Sequence, residues 1–171
     1  MTLETPRLTL LACAIDHLER MLEGDDAFTV AYGLYTSPEY IEPREALRYS
    51  IEPLRNGMPP EWGTYMFIHR DDNIVMGMGG FKGAPDEEGV VEVGYGIAPA
   101  YRDNGYAREA AEALVRFACS RPEVRTVRAH TLPEPNASTR ILEHCGMTRV
   151  GEDVDPDVGR VWRWERRAEA P

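Results

Sequence analysis

The chain has 171 residues, and its 29 acidic and 19 basic side chains give a formal net charge of −10 at pH 7. Hydrophobic residues make up 43% and charged residues 28% of the chain, which suits one globular domain over residues 1–171 and excludes a disordered chain. The acidic balance argues against nucleic acid as a partner, because surfaces that bind DNA or RNA are basic.

The hydropathy and the cysteine content narrow the class further. No apolar run approaches the roughly 20 residues that cross a bilayer, and the N-terminus lacks a signal-peptide pattern. We therefore expect a cytoplasmic protein without a membrane partner. Cys13, Cys119 and Cys145 are too few and too widely spaced for a disulfide framework or a C-x-x-C site. The histidines have no ligand spacing, so we expect no metal.

Short strands and helices alternate along the chain, as the spacing of apolar residues and the turn-forming residues indicate. The predicted elements, in chain order, are a strand at 8–12, helices at 15–23 and 45–54, strands at 65–70, 74–81 and 90–97, a helix at 106–120, a strand at 124–131, a helix at 137–145, and strands at 147–150 and 161–164. Runs of strands with few helices predict an α/β (α+β) fold around a mixed, mostly antiparallel sheet. Asn136 is the expected N-cap of the last helix, and Gly146 is its expected left-handed terminator.

The segment that indicates chemistry is 90–107, where a predicted strand runs into a predicted helix through a loop that contains Gly105. Such a junction offers unpaired backbone N–H groups at the positive end of a helix dipole, which together form an anion site. Arg102 and Arg108 bracket the loop, and glycine lets the backbone approach a ligand closely. We therefore expect a phosphate or pyrophosphate group to bind there.

Two common nucleotide-binding motifs do not fit this loop. A P-loop requires a lysine after its second glycine, but the only lysine, Lys82, follows Phe81. A dinucleotide-binding turn requires glycine or alanine three residues after Gly96, and Pro99 occupies that position. The sequence therefore excludes both a P-loop and a dinucleotide-binding turn.

Segment 102–107, R-D-N-G-Y-A, resembles the R/Q-x-x-G-x-G/A pyrophosphate loop of the GNAT superfamily of acyl-CoA-dependent N-acetyltransferases. The preceding V-E-V-G-Y-G-I resembles the family's fourth strand, and the following helix resembles its long third helix. Segments 136–138 and 145–147 resemble the family's N-x-S…x-G-F region. The opening E-T-P-R-L-T-L-L is similar to the ribosomal-protein N-terminal acetyltransferase-like (Rim-type) branch. The resemblance therefore covers nearly the whole chain.

The resemblance implies one GNAT domain with a sheet of about seven strands, helices on both faces, and a splay between the fourth and fifth strands. It also implies acetyl-CoA as co-substrate, with the pantetheine arm hydrogen-bonded along the splayed edge. The Arg102 side chain would add a charge-assisted contact to the pyrophosphate. The residues that the resemblance assigns to acetyl-CoA are Ile97, Ala98, Arg102, Asp103, Asn104, Gly105, Tyr106, Ala107, Asn136 and Ser138.

The resemblance also assigns two catalytic roles. Glu92, on the less apolar face of the strand at 90–97, is the implied general base, and we expect burial to raise its pKa. Ser138 is the expected proton donor to the departing thiolate, because Leu142 stands where many relatives carry a tyrosine. The structural alternatives are a solvated glutamate and a serine that satisfies helix N–H groups. His130, on the strand beside the expected cleft, has at most a minor polar role.

The sequence therefore predicts an N-acetyltransferase that transfers an acetyl group from acetyl-CoA to a primary amine by direct attack in a ternary complex. The amine belongs to a protein N-terminus or to a small molecule, and the acidic surface would attract both. The alternative is a non-catalytic CoA-binding sensor or interaction module. The identity of the acceptor, the acyl length and the oligomeric state, a homodimer included, do not follow from the sequence.

Overall fold

The computed structural model describes residues 1–37 and 46–168. Its strands are β1 (Thr2–Glu4), β2 (Leu8–Ala12), β3 (Tyr35–Thr36), β4 (Thr64–His69), β5 (Ile74–Phe81), β6 (Val90–Ile97), β7 (Thr126–Thr131), β8 (Thr148–Asp155) and β9 (Gly159–Arg167). Its α-helices are α1 (Ile15–Glu23), α2 (Asp25–Tyr32), α3 (Ala46–Arg55), α4 (Tyr106–Cys119) and α5 (Ala137–His144). In these ranges, no helix has both the length and the apolar character needed to cross a membrane.

The strands form one mixed, mostly antiparallel sheet, as the sequence predicts. Within the described residues it has nine strands, in the order β1-β2-β4-β5-β6-β7-β9-β8, with β3 added beside β5. The prediction of about seven strands missed β1 and β3, which are three and two residues long and too short to show an alternating pattern. The last two strands are longer than predicted, because edge strand β8 consists mainly of exposed or half-buried polar residues.

The helices follow the predictions except near residues 24 and 45. Gly24 ends α1 with a φ of 131°, as predicted. A helix that was not predicted, α2, begins at the next residue, and its acidic first turn suits a helix N-terminus. The predicted helix at 45–54 is α3, whereas Glu45 itself lies outside the described residues. At α5, Asn136 accepts a hydrogen bond from the Thr139 N–H at 3.0 Å, which confirms the predicted N-cap.

Helices cover both faces of the sheet, and each face has its own hydrophobic core. On one face, α4 and α5 bury Leu114 and Leu142 against Val91 of β6. On the other face, α1, α2 and α3 pack around Leu18 and against Met66 of β4. A fully buried leucine stabilises the fold by about 1.5–3 kcal/mol, so these two layers hold the sheet from both sides.

The neighbouring strands β6 and β7 pair only near their N-terminal ends. They run parallel from the pair Val90 and Thr126 to the pair Glu92 and Arg128. On its other edge, β6 pairs with β5 as far as Ile97. In the part of the chain that the structure describes, residues 93–97 thus have no strand partner on the β7 side. The predicted splay lies between β6 and β7, and it opens one edge of β6 beside α4 and α5.

Candidate active site

The loop between β6 and α4 has the geometry of an anion site. Asp103 and Gly105 have φ angles of 62° and 81°, and these positive values turn the chain sharply into the helix. No side chain caps α4, whereas Asn136 and Thr139 cap α5 reciprocally. The first N–H groups of α4 therefore lack a side-chain acceptor at the positive end of the helix dipole, where an anion binds favourably.

A cleft of about 580 Å³ lies between this loop, β6 and the first turns of α5. Arg102, Arg108 and Arg140 line it together with one carboxylate, that of Asp103, and Arg108 also forms an ion pair with Glu112 at 2.8 Å. The local charge is therefore positive although the whole chain is acidic. Because charges are screened over about 8 Å at physiological salt, these nearby groups outweigh distant carboxylates. Of the residues that the sequence assigns to acetyl-CoA, the cleft is lined by Ile97, Arg102, Asp103, Gly105, Tyr106, Ala107 and Ser138, but not by Ala98, Asn104 or Asn136.

Side chains outside the cleft hold the loop in place. Arg7 donates to the carbonyl oxygen of Asn104 at 2.9 Å, and its guanidinium lies 4.2 Å from the centre of the Tyr106 ring. Glu109 accepts hydrogen bonds from Arg7 Nε at 2.8 Å and from Thr5 Oγ1 at 2.6 Å. Burial raises the pKa of Glu109, but the hydrogen bonds from Thr5 and Arg7 lower it by more. The Arg7–Glu109 pair, which the sequence analysis did not single out, therefore braces the loop.

The open edge of β6 presents its backbone to the cleft at alternate residues. The Ala98 N–H donates to the carbonyl oxygen of Met76 on β5 at 2.8 Å, so the backbone groups of Ala98 point away from the opening. Strand alternation turns those of Tyr95 and Ile97 toward it. The Ile97 carbonyl already accepts from Arg102 Nε at 3.2 Å. The geometry therefore favours Tyr95 and Ile97 over Ala98 as backbone partners for an extended ligand.

A second cavity, of about 430 Å³, lies on the opposite face of the sheet between α3, β5 and β6. Lys82 and Gly94 are on its walls, and a Cβ atom placed on Gly94 would meet nothing within 4 Å. Tyr95 lines both this cavity and the cleft. The two spaces therefore meet at β6, where the sheet is splayed.

Glu92 lies on the same face of β6 as Gly94, and its surroundings correct one prediction. Its side chain is 23% exposed, His130 Nδ1 lies 2.9 Å from Glu92 Oε1, and Lys82 forms an ion pair with the same oxygen. Burial raises the pKa of Glu92, but the hydrogen bonds and charges of Lys82 and His130 lower it by more. The expectation of a raised pKa is therefore wrong, because the interactions of Glu92 with Lys82 and His130 outweigh burial.

A row of polar side chains continues from Glu92 across the splay. His130 Nε2 lies 2.7 Å from Asp153 Oδ2, and Asp153 Oδ1 accepts from Arg163 Nη1 at 2.9 Å. His130 was expected to have at most a minor polar role, and no role at the site was predicted for Lys82 or Asp153. Lys82 could have been noticed in the sequence, because it is the only lysine of the chain. No sequence feature points to Asp153, because only the pairing of β7 with β9 and of β9 with β8 brings it to His130.

The remaining cavities and polar groups make weaker candidate sites. A larger cavity, of about 1040 Å³, lies at the C-terminal end of α4. Two of its arginines, Arg121 and Arg128, are already paired with Glu123 and Glu165, so they are less available to an anion. Within residues 1–37 and 46–168, no group of three or more His, Cys, Asp or Glu side chains is placed to hold a metal ion.

The fold and the loop agree with the result of sequence comparison. A family model described as an acetyltransferase (GNAT) domain matches residues 7–148. The uncharacterized N-acetyltransferase YjdG of Bacillus subtilis (strain 168) is 31% identical over 147 residues, which cover 84% of this chain and 88% of that protein. The chain therefore belongs to the GNAT family and is an acetyltransferase, which confirms the resemblance seen at the 102–107 loop.

Solved structures show the same fold. A GNAT-family acetyltransferase from Bacillus anthracis matches with a TM-score of 0.68 and 22% identity, over 98% of this chain and 99% of that one. The RimL ribosomal L7/L12 alpha-N-protein acetyltransferase, solved in complex with coenzyme A, matches with a TM-score of 0.73 and 16% identity, over 100% of both chains. At these identities the likeness establishes the fold alone, and it confirms the predicted fold class.

Proposed function

We propose that this acetyltransferase transfers an acetyl group from acetyl-CoA to a primary amine by direct attack in a ternary complex. The observation that carries the proposal is that two cavities meet at Tyr95. One of them contains the anion-binding loop, and the other lies on the face of Glu92. This arrangement would let the two substrates approach from opposite faces of the sheet and react at the splay.

The cleft residues fit the parts of coenzyme A. Acetyl-CoA would supply an activated acetyl thioester. The N–H groups at the start of α4 would bind the pyrophosphate, with Arg102 and Arg140 close enough to neutralise charge. The backbone groups of Tyr95 and Ile97 would pair with the pantetheine arm, as strand edges pair with extended ligands. The coenzyme A complex of the similarly folded RimL protein supports this assignment.

The base at this site suits an amine that loses its proton readily. Deprotonation at pH 7 costs about 1 kcal/mol for an α-amine, against about 4.6 kcal/mol for a lysine side chain. Glu92 is the proposed base, but a carboxylate of lowered pKa is a weak one, so an α-amine suits it better. RimL, with a similar fold, is itself an alpha-N-protein acetyltransferase. We therefore favour α-amines, of a protein N-terminus or a small molecule, over lysine side chains.

The acceptor ammonium would replace Lys82 at Glu92. The Lys82 side chain is 63% exposed, so its ammonium group can move into solvent when the acceptor takes its place. A proton received by Glu92 could then pass through His130 to Asp153 near the surface, along contacts of 2.9 and 2.7 Å.

Two buried cysteines are poor candidates for a covalent acyl-enzyme. Burial raises the pKa of Cys145 to about 11 and that of Cys13 to about 12. A thiol must ionise before it attacks a thioester, so both side chains stay protonated and unreactive near neutral pH. This supports direct attack by the amine.

Calorimetric titration of coenzyme A tests the binding part of the proposal. Gly105→Glu and Gly105→Gln share the strain of a side chain at a φ of 81° and have similar size, but only glutamate brings a negative charge to the pyrophosphate. We expect binding to weaken in the order wild type, Gly105→Gln, Gly105→Glu, with about a tenfold step between the two variants, which is about 1.4 kcal/mol. No heat of binding with the wild-type protein would refute the proposed function.

Thiol release from acetyl-CoA with a panel of amines tests the chemistry. We expect α-amines to react faster than lysine side chains. Glu92→Gln should slow turnover by about a hundredfold while coenzyme A still binds. Glu123→Gln, in the loop that follows the C-terminal end of α4, is the matched control and should leave turnover unchanged. Full activity of Glu92→Gln would refute the role of Glu92 as base, and binding without turnover on any amine would favour the sensor alternative.

A further inference from the structure

Among the described residues, three buried side-chain atoms lack a hydrogen-bond partner. Those of His69 and Arg163 lie within ion-pair distance of Asp72 and Glu165, which leaves the hydroxyl oxygen of Tyr95. The Tyr95 ring packs against the core beneath α4 and α5. Its hydroxyl oxygen is buried, yet no group in the described part of the chain completes a hydrogen bond with it. Buried hydroxyl groups nearly always have a partner, because an unpaired one is unfavourable. Tyr95 lines the cleft, so a ligand bound there would supply the missing partner.

The position of this hydroxyl relative to α5 narrows the choice of ligand atom. Ser138 is the polar side chain that approaches it, without completing a hydrogen bond of normal geometry. Leu142, one turn further along the same face of α5, is 1% exposed and carries no polar atom. The phenol therefore extends from β6 to the start of α5. An arm that starts at the 102–107 loop and follows the edge of β6 would bring its far end, the sulfur, to this point.

We propose that Tyr95 is a catalytic residue whose phenolic O–H donates a hydrogen bond to the sulfur of coenzyme A, while Ser138 orients the phenol. This inference rests on the proposed function. During transfer, the amine nitrogen bonds to the acetyl carbon, the carbon–sulfur bond breaks, and its electron pair remains on sulfur. The amine releases one proton toward Glu92, and the thiolate later takes a proton from water. Tyr95 keeps its own proton throughout.

The protonation state of Tyr95 fits a donor that does not ionise. Burial raises the pKa of Tyr95, the Cys145 side chain raises it further, and Ser138 lowers it only in part. The phenol therefore stays protonated across the working pH range. A hydrogen bond to a charged acceptor is stronger than one to a neutral acceptor. The hydrogen bond from Tyr95 is therefore stronger to the thiolate that develops during transfer than to the thioester sulfur. A contact that strengthens in the transition state accelerates the reaction.

The ionisation of bound coenzyme A tests the contact without any amine acceptor. Ultraviolet absorbance follows the thiolate as pH rises, and the complex with desulfo-coenzyme A, which lacks the sulfur, supplies the baseline. We expect the bound thiol to be about tenfold more acidic in the wild-type protein than in Tyr95→Phe. Tyr65→Phe is the matched control: it removes a buried hydroxyl that already donates to the Glu61 carbonyl, and it should leave the bound thiol unchanged.

The outcomes separate this inference from the proposed function. Equal thiol acidity in the wild type and in Tyr95→Phe, with coenzyme A bound to both, would overturn the role of Tyr95 alone. A loss of thiol acidity in Ser138→Ala but not in Tyr95→Phe would assign the contact to Ser138 instead. No binding of coenzyme A by the wild type would overturn the proposed function as well. With an active amine, kcat of Tyr95→Phe should fall by up to about tenfold, the limit set by the effect on the full thiolate, while the coenzyme A affinity stays the same.

A second variant covers the case in which Tyr95→Phe does not bind coenzyme A. Fluorotyrosine at position 95 keeps the ring and the hydroxyl but makes the phenol a stronger donor. We expect it to make the bound thiol more acidic than in the wild type. An unchanged thiol in this variant would also overturn the role of Tyr95.

Discussion

Removing the hydroxyl group from two buried tyrosines should change stability in opposite directions. The Tyr65 hydroxyl donates to the Glu61 carbonyl oxygen at 3.0 Å, whereas that of Tyr95 has no partner among the described residues. Loss of a paired donor costs about 1 kcal/mol, and loss of an unpaired buried hydroxyl should gain about as much. For a chain of 171 residues, each change corresponds to about 2–4 °C in Tm. Tyr65→Phe should therefore melt below the wild type, and Tyr95→Phe above it.

Thermal unfolding of the two variants without ligand measures this difference, and urea unfolding checks that it reflects free energy. A decrease in Tm for Tyr95→Phe as large as that for Tyr65→Phe would show that the Tyr95 hydroxyl is already paired in the free protein, and it would refute the reasoning. Coenzyme A should stabilise the wild type more than Tyr95→Phe if the hydroxyl binds the thiolate, because a ligand stabilises a fold in proportion to the logarithm of its affinity. The comparison is made above the pH at which the bound thiol ionises.

Three further substitutions test the second cavity, the close pairing of β5 and β6, and the loop brace. Gly94→Val should fill open space, raising the KM for the amine about tenfold while calorimetry shows unchanged coenzyme A affinity. In Gly79→Ala the free energy of unfolding in urea should fall by about 2–3 kcal/mol, because the added Cβ would lie 2.5 Å from the Gly94 carbonyl oxygen on β6 and 2.7 Å from the Phe67 ring on β4. In Glu109→Gln the free energy of unfolding should fall by about 2 kcal/mol at neutral pH. Coenzyme A should also bind more weakly, because the variant releases Arg7. In the folded protein the pKa of Glu109 is below its usual value of 4.5. The stability that its carboxylate contributes is therefore fully present above pH 4.5 and is lost as the pH falls through the lower pKa of the folded state.

Each of these predictions has a result that would contradict it. Normal amine kinetics in Gly94→Val would show that the acceptor does not enter the second cavity. A Gly79→Ala protein as stable as the wild type would mean that β5 can move away from β6 at little cost. A stability difference between Glu109→Gln and the wild type that persists unchanged in acid would show that the carboxylate charge is not what holds Arg7.

Features that depend on near neighbours in the chain were predictable. The change from alternating to helical apolar spacing around Gly105 predicted the strand, loop and helix that form the anion site, because backbone N–H groups at a helix start follow from local geometry. The capping of α5 by Asn136 was predictable for the same reason. β1 and β3 were missed because strands this short form only when a neighbouring strand supplies their hydrogen bonds.

The sequence by itself determined the elements, their order and the location of the anion-binding loop, because these depend on side-chain spacing and local backbone preference. Only the tertiary structure decided the chemistry around that loop. Whether the pKa of Glu92 rises or falls depends on a balance between burial and the contacts with Lys82 and His130. His130 is 38 positions away in the chain. The position of the Tyr95 hydroxyl beside Ser138 of α5 likewise depends on how α5 packs against the sheet, and such contacts between distant segments leave no periodic signal in the sequence.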